Sequence, residues 1–275
     1  MTSLFCCPLC GEPLTRLEHT YQCSGRHSYD ISKEGYTHLL PANRKNSAAP
    51  GDDKGMAAAR RAFLSKDYYR PLLDALCALS VSMTGPAPAV LDTGCGEGYY
   101  TTGIHQALLA AGKAPRTAGI DISKFILRSA AKRSREIEFA VASSYHLPVA
   151  DKSIDLLINC FSPLAEEEFR RVLVPGGAFL YVVPAADHLW EMKQVLYDQP
   201  YKNEEKLTPY EGFRYEDVIP VDAEITLESQ DDIHNLFQMT PYYWKTPKEG
   251  SERLAALNTL TTRISFRIHV FRKEG

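Results

Sequence analysis

The chain has 275 residues, 44% of them hydrophobic and 24% charged, with 31 basic against 34 acidic side chains and a formal net charge of −3. That balance excludes a disordered chain and a polycationic nucleic-acid binder, so any nucleic-acid contact has to come from a local patch. No stretch approaches the roughly 18–20 apolar residues that cross a bilayer; the opening MTSLFCCPLCGEPL lacks a basic region followed by an apolar core, so a cytoplasmic protein with no membrane partner is expected.

Residues 1–40 are short, turn-rich and threaded by cysteines. A polar, Pro-containing linker follows and turns helical after Gly51-Asp52-Asp53, with Met56, Ala59, Phe63 and Leu64 at helical spacing. A second helix is expected from about Tyr69, with Pro71 in its first turn and Leu72, Leu73, Leu76 and Leu79 as its apolar stripe. From Ala89 the rhythm becomes strand–helix alternation. Strands are expected over 89–92, 117–121, 137–142, 153–159 and 178–184, the last after a Pro175-Gly176-Gly177 turn, with helices over 98–111, 123–134 and 165–173. Strand-like pieces near 219–227 and 262–272 flank a helical one near 230–237 and suit a strand pair closing one sheet edge. The alternation predicts an α/β fold with a mostly parallel, doubly wound sheet. Its parts are a small domain over 1–40, a linker and helices over 41–85, and the α/β domain over 86–275.

Four of the seven cysteines fall within the first twenty-three residues. An odd total, clustered at one end and in a reducing compartment, points to a metal rather than disulfides. Cys7-x-x-Cys10, followed by Cys23 and His27, can close a tetrahedral zinc site with three thiolates and one imidazole. Cys6 is adjacent and could substitute, but Cys7 gives the standard two-residue gap. A closed four-ligand set makes the zinc structural, one ion per chain, and supplies the staple that thirty-five residues without a core need.

The run Val90-Leu91-Asp92-Thr93-Gly94-Cys95-Gly96-Glu97-Gly98 places three glycines between a strand and a helix. Glycine permits a sharp turn and brings backbone N–H groups close to a ligand. The spacing is G-x-G-x-G rather than the dinucleotide G-x-G-x-x-G, and Asp121 ends the second strand, where a carboxylate can accept both hydroxyls of a ribose. The pair forms the pattern of class I S-adenosylmethionine methyltransferases, and makes Asp92, Gly94, Gly96, Gly98 and Asp121 cofactor candidates.

The Cys-x-x-Cys ribbon, CSGRHSYDISKEGYTHLLP, PGDDKGMAAARRAFL, DYYRPL, LDTGCGEGYYT, ASSYHLP, VPGGAFLYVVPAADHLWEMK and LFQMTPYYW together resemble the bacterial large-subunit ribosomal RNA guanine-N1 methyltransferases from end to end. The resemblance implies a Rossmann-like catalytic domain built on a seven-stranded sheet, a zinc domain that helps recognise an RNA hairpin, and a homodimer. It places the zinc on Cys7, Cys10, Cys23 and His27, and S-adenosylmethionine against Tyr69, Gly96, Glu97 and His188. Ala142-Ser143 stands where many methyltransferases carry an Asp against the adenine, so that contact stays unassigned.

Asn159-Cys160-Phe161-Ser162-Pro163 follows the fourth strand at the carboxyl edge, where open α/β sheets hold ligands. Asn159, Phe161 and Pro163 are therefore candidate walls of a guanine pocket, and no proton acceptor is evident. Tyr242, Tyr243 and Trp244 either stack on a base or pack in the core. Residues 1–70 carry ten basic and seven acidic side chains, a balance of +3, which leaves −6 for the remainder. Arg44, Lys45, Lys54, Arg60 and Arg61 form a stripe suited to phosphates. The expected activity is methylation of guanine N1 in 23S rRNA. The rival readings are a methyltransferase for a small molecule or protein, with a purely structural ribbon, and an inactive zinc-ribbon RNA-binding protein.

Overall fold

The structure is a computed structural model that describes residues 2–41, 51 and 53–275. Strands β1 (Thr2–Cys6), β2 (Pro13–Arg16), β3 (Thr20–Gln22) and β4 (Ser28–Asp30) make a small antiparallel sheet in the order β1-β2-β3-β4. Short strand β5 (Tyr36–His38) leaves that sheet and pairs in parallel with the far edge of a second, larger one.

Helices α1 (Lys54–Leu64) and α2 (Arg70–Met83) come next. The Asp53 carboxylate caps α1 by accepting from the Met56 backbone N–H at 2.9 Å, and Pro71 starts α2 where its missing N–H is not needed. The α/β body then runs β6 (Ala89–Thr93), α3 (Tyr99–Ala110), β7 (Arg116–Asp121), α4 (Lys124–Arg133), β8 (Glu138–Val141), β9 (Ile154–Cys160), α5 (Glu166–Val172), β10 (Leu173–Pro184), α6 (Trp190–Leu196), β11 (Phe213–Leu227), α7 (Gln230–Gln238), α8 (Lys248–Ala255) and β12 (Leu260–Lys273). The large sheet has the order β11-β12-β10-β9-β6-β7-β8-β5. Strands β5 to β10 pair in parallel, and β12 is antiparallel to both its neighbours. The mostly parallel sheet is as expected, with the seven strands β6 to β12 and the short β5 as an eighth.

Continuous apolar strands explain the layering. Every residue of β6 is buried, as are all but one of β9, because a parallel sheet is covered on both faces. One face packs on α2, α3, α6 and α7 through Leu72, Leu76, Ile104, Leu189 and Leu236. The other face packs on α5 and on the small sheet itself. Leu4, Phe5, Leu14, Tyr21 and Leu39 share a core with Leu91, Ala118, Ile120, Leu147 and Val149. Polar ties reinforce that junction: Leu4 N donates to Glu138 Oε1 at 3.1 Å, Cys6 N donates to the Pro148 carbonyl at 2.7 Å, and the Ser3 hydroxyl donates to the Glu138 carboxylate.

The Pro175-Gly176-Gly177 turn is a departure. Those residues lie inside β10, whose pairing with β9 shifts register between Leu173 and Ala178, while Gly176 takes φ +77°. Glycine absorbs a bulge there without ending the strand. The antiparallel pair β11–β12 closes one sheet edge, as the sequence suggests.

Candidate active site and metal centre

From β6 the chain winds outward through β7 to β8, then returns to β9 on the other side of β6. That reversal opens a crevice at the carboxyl ends of β6 and β9, the place where open α/β sheets take ligands. A cavity of about 950 Å³ occupies it.

The Gly-rich loop forms one side. Gly94, Gly96 and Gly98 all have positive φ, at +79°, +56° and +81°. A side chain at Gly94 would collide with Ser162, and one at Gly98 would meet Ala130 at 3.0 Å, so packing and backbone both require glycine there. Gly96 differs: a Cβ would come no closer than 3.7 Å to any protein atom, so this glycine keeps the cavity open rather than the core packed. Asp121, half-buried, accepts from the Gly96 N–H at 3.0 Å and the Ser123 N–H at 2.8 Å.

Asp92 is 2% exposed and accepts from the Thr101 hydroxyl at 2.5 Å, while its Oδ1 has no partner among the described residues. Burial pushes its pKa up to about 7. Glu97 is also buried and pushed up to about 7 by desolvation, against the pull of Arg133, whose guanidinium bridges it at 2.6 Å. Its Oε1 has no partner among the described residues, and neither has the buried hydroxyl of Tyr100, another lining residue. Asp92, Glu97 and Tyr100 all line the cavity, and each keeps a buried polar atom without a partner among the described residues, at roughly 1–3 kcal/mol apiece, which suits a polar ligand nearby. Tyr69 and His188 complete this side, packed edge to face with ring centroids 6.1 Å apart and both against Phe266. His188 Nδ1 accepts from the Ser265 N–H at 3.2 Å, and burial holds its pKa down at about 3, so the imidazole is neutral.

Aromatic rings make up much of the rest of the wall. Phe161 adopts φ +56° and is 42% exposed beside Pro163, and its ring lies 5.4 Å from Phe266, against which Tyr69 and His188 also pack. Tyr145, Tyr201 and Trp244 are further exposed rings of the lining.

Several sequence expectations resolve differently. Asn159 does not line the cavity. Its side chain is fully buried, and Nδ2 donates to Thr93 Oγ1 at 3.1 Å, Ser162 Oγ at 3.1 Å and the Pro163 carbonyl at 3.2 Å. Period-two alternation along β9 explains this, because Ile158 and Cys160 face one layer while Leu157 and Asn159 face the other. The aromatic trio also divides. Tyr242 and Trp244 line the cavity, whereas Tyr243 packs on Phe237 at 5.4 Å. Arg60 and Arg61, consecutive on α1, diverge: Arg60 lines the cavity and donates to the Met239 carbonyl at 3.3 Å, and Arg61 faces away. Arg44 and Lys45 lie outside the described residues. Tyr145, Tyr201, Asn203 and Arg60 line the cavity without having been singled out for it. The loop after β8 could have pointed to Tyr145 by the carboxyl-edge rule, but nothing local marks Tyr201 or Asn203.

The zinc ligands converge as the spacing requires. Cys7, Cys10, Cys23 and His27 bring their ligand atoms within 4.8 Å of one another. Cys10 and Cys23 sulfurs are 3.7 Å apart, and His27 Nδ1 lies 3.5 Å and 3.4 Å from the sulfurs of Cys7 and Cys23. A tetrahedron with Zn–S near 2.3 Å and Zn–N near 2.0–2.1 Å sets those edges at about 3.8 and 3.6 Å. Cys6 is not in this cluster; it is buried on β1.

Comparison with known proteins agrees with both sites. The zinc-ribbon family described as "RlmA, N-terminal" matches residues 5–48, and a methyltransferase-domain family matches residues 86–240. YxjB of Bacillus subtilis (strain 168), provisionally named a 23S rRNA (guanine-N(1)-)-methyltransferase, is 32% identical over 90% of this chain and 89% of its own length. The chain belongs to the 23S rRNA (guanine-N1)-methyltransferase family. It is a zinc-ribbon-bearing, S-adenosylmethionine-dependent methyltransferase. The 23S rRNA (guanine(748)-N(1))-methyltransferase of Streptomyces fradiae is 33% identical over 69% of this chain and 66% of that one. Among solved structures, the YcgJ protein of Bacillus subtilis shares the methyltransferase's fold, with TM-score 0.52 and 18% identity over 74% of this chain and 99% of that one. Among the described residues, no helix is long and apolar enough to cross a membrane.

Proposed function

We propose that this enzyme methylates N1 of one guanine in a hairpin of 23S rRNA. The observation that carries the reading is that one cavity at the β6/β9 reversal is lined both by the Gly-rich loop with Asp92, Glu97 and Asp121 and by the exposed rings of Phe161, Tyr145 and Trp244. S-adenosylmethionine supplies, when bound, a methyl group on a positively charged sulfur. Asp121 would accept from the ribose hydroxyls, and the open space at Gly96 would admit the methionine part. Asp92 and Glu97 would supply acceptors near its ammonium, with Tyr69 and His188 in the same wall.

Guanine N1 lies on the Watson–Crick edge, so the base must leave its pair to react. Phe161, Tyr145 and Trp244 offer flat faces on which an extruded base can stack. Their contribution is proximity and orientation, bringing N1 in line with the methyl carbon. As N1 gains the methyl it loses its proton. No side chain of the lining is assigned as the acceptor of that proton. A homodimer and a hairpin-reading role for the ribbon belong to the same reading, which rests on the family.

Incubating the zinc-loaded protein with labelled S-adenosylmethionine and 23S rRNA lacking the modification tests it. The expected result is one methyl per RNA, with a reverse-transcription stop at a single guanine, since N1-methylation blocks pairing. Label found only on a protein or small molecule, or RNA binding without transfer, would overturn it in favour of one of the rivals.

A further inference from the structure

Beside the cavity, on the other side of α1, lies a second concavity that the methyltransferase reaction does not use. It is a groove of about 560 Å³ between α1 and α4. Lys54 and Arg61 stand on its α1 wall, Arg128 and Lys132 on its α4 wall, and Ala58 and Ala62 lie along α1 between them. No acidic side chain lines it. None of the four cations makes a side-chain hydrogen bond or ion pair among the described residues. Elsewhere on this surface cations are largely paired, as Lys66 is with Asp232, Arg133 with Glu97, Arg171 with Glu168 and Lys202 with Asp187.

Four cations line this groove with no acidic side chain among its lining, Arg61 sensing a carboxylate at longer range in Glu97, and a molecule of net charge −3 places them in a small-residue trough. We infer that the α1–α4 groove is a binding track for the phosphodiester backbone of the RNA substrate. The inference rests on the rRNA reading above and adds where the RNA runs.

Charge layout favours an extended polyanion over a single phosphate. Arg128 and Lys132 are one helical turn apart, about 6 Å along α4, and Lys54 and Arg61 are two turns apart, about 10 Å along α1. The cations therefore line the groove's length instead of converging on one point. Small side chains on α1 let a bulky backbone approach closely. The groove offers one large apolar side chain, Phe125, which is too little for a peptide or lipid anchor. Position completes the argument. Adjacent residues on a helix diverge by about 100°, which sends Arg60 to the cavity and Arg61 to the groove. A strand in the groove thus passes within about one helix diameter, ~10–12 Å, of the cavity that takes the base.

The test compares wild type with the Arg61→Gln/Arg128→Gln/Lys132→Gln variant, and with a Lys206→Gln/Lys248→Gln control that removes two cations lying outside the groove and paired with Glu204 and Glu252. Affinity for the methyl-accepting 23S rRNA hairpin is measured across a salt series, together with KM for RNA, kcat, S-adenosylmethionine affinity and melting temperature. Losing three phosphate contacts should lower the slope of log K against log salt by about two. KM should rise at least tenfold, with kcat at saturating RNA and cofactor affinity unchanged and the melting temperature not lowered. Wild type that methylates the hairpin while the triple variant keeps the control's slope and KM would overturn the groove and leave the rRNA reading standing. A wild type that transfers no methyl to RNA would instead overturn that reading. Equal loss of binding to poly-glutamate and to RNA would reject a phosphodiester track in favour of an acidic-protein surface.

Discussion

Asp92, one residue before the end of β6, and Asp121, which ends the neighbouring β7, have carboxylates in opposite surroundings. Asp121 is half-buried and already takes two backbone N–H groups, a geometry ready to accept further donors. Asp121→Ala removes a charge-assisted acceptor pair, and S-adenosylmethionine binding should weaken by about 1.5–3 kcal/mol, or roughly ten- to a hundred-fold by calorimetry. Gly96→Val places a branched side chain at φ +56° in the space left for the ligand, at a strain of roughly 1–2 kcal/mol. It should retain a cooperative melt while losing cofactor binding; unchanged affinity would show that the cavity seats the ligand elsewhere. Asp92 tests the electrostatics. With its folded pKa near 7 and the ordinary carboxylate value near 4, the native state holds a proton that the unfolded chain releases between those limits. Stability from this group is therefore fullest below about pH 4 and is lost as pH rises to 7. Asp92→Asn cannot lose that stability, so its melting temperature should gain on wild type as pH rises from about 4 to 7. A pH-independent difference would mean that Asp92 is not buried as described.

At the scale of elements, the turn after β9 shows how a buried residue can shape a site it does not touch. Asn159 ties Thr93 at the end of β6 to Ser162 and Pro163, and Ser162 Oγ donates back to the Thr93 carbonyl at 3.1 Å. These bonds bridge two strand ends and hold Phe161 in the left-handed region, which costs a bulky residue on the order of 1–3 kcal/mol. Phe161→Ala should raise KM for RNA at least tenfold with cofactor affinity intact, because it removes only a stacking face worth about 1–3 kcal/mol. Asn159→Ala should do the same and also lower the melting temperature, because it leaves buried partners unsatisfied. If Phe161→Ala leaves KM unchanged, the ring is not where the base stacks. Such ties mark the limit of what was legible in the sequence. The G-x-G-x-G turn, Asp121 and the four zinc ligands could be read because their geometry is set by a few residues along the chain. Asn159 could not be placed, since which face of β9 meets the cavity depends on the register of the whole sheet. Tyr201 and Asn203 were invisible for a similar reason. Lys193, fully buried on α6, draws them to the cavity by donating to the Tyr201 carbonyl at 3.2 Å and Asn203 Oδ1 at 2.8 Å.

For the whole molecule, the decisive fact is that the ribbon and the catalytic body share a core. Zinc-ribbon spacing suggests an autonomous module over residues 1–40, stapled by its metal. Instead β5 extends the large sheet and Phe5, Leu14 and Tyr21, each at most 2% exposed, are buried against the body. Cys7 and Cys23 belong to that same cluster, so the metal fixes side chains that pack on catalytic-domain residues. Metal-site energy then stabilises the combined unit, since a structural zinc contributes its binding energy to folding. The purified protein should carry about one zinc per chain by elemental analysis. Cys7→Ser or His27→Ala should lose the zinc and lower the melting temperature of one cooperative transition that includes the catalytic body. An autonomous ribbon would behave otherwise: the variants would show an unfolded N-terminus by hydrogen exchange, with the main transition unmoved. Calorimetry with exchange at β1 and β6 separates the two outcomes, because coupling through the core that Phe5 of β1 shares with Leu91 of β6 requires protection in both strands to fall together.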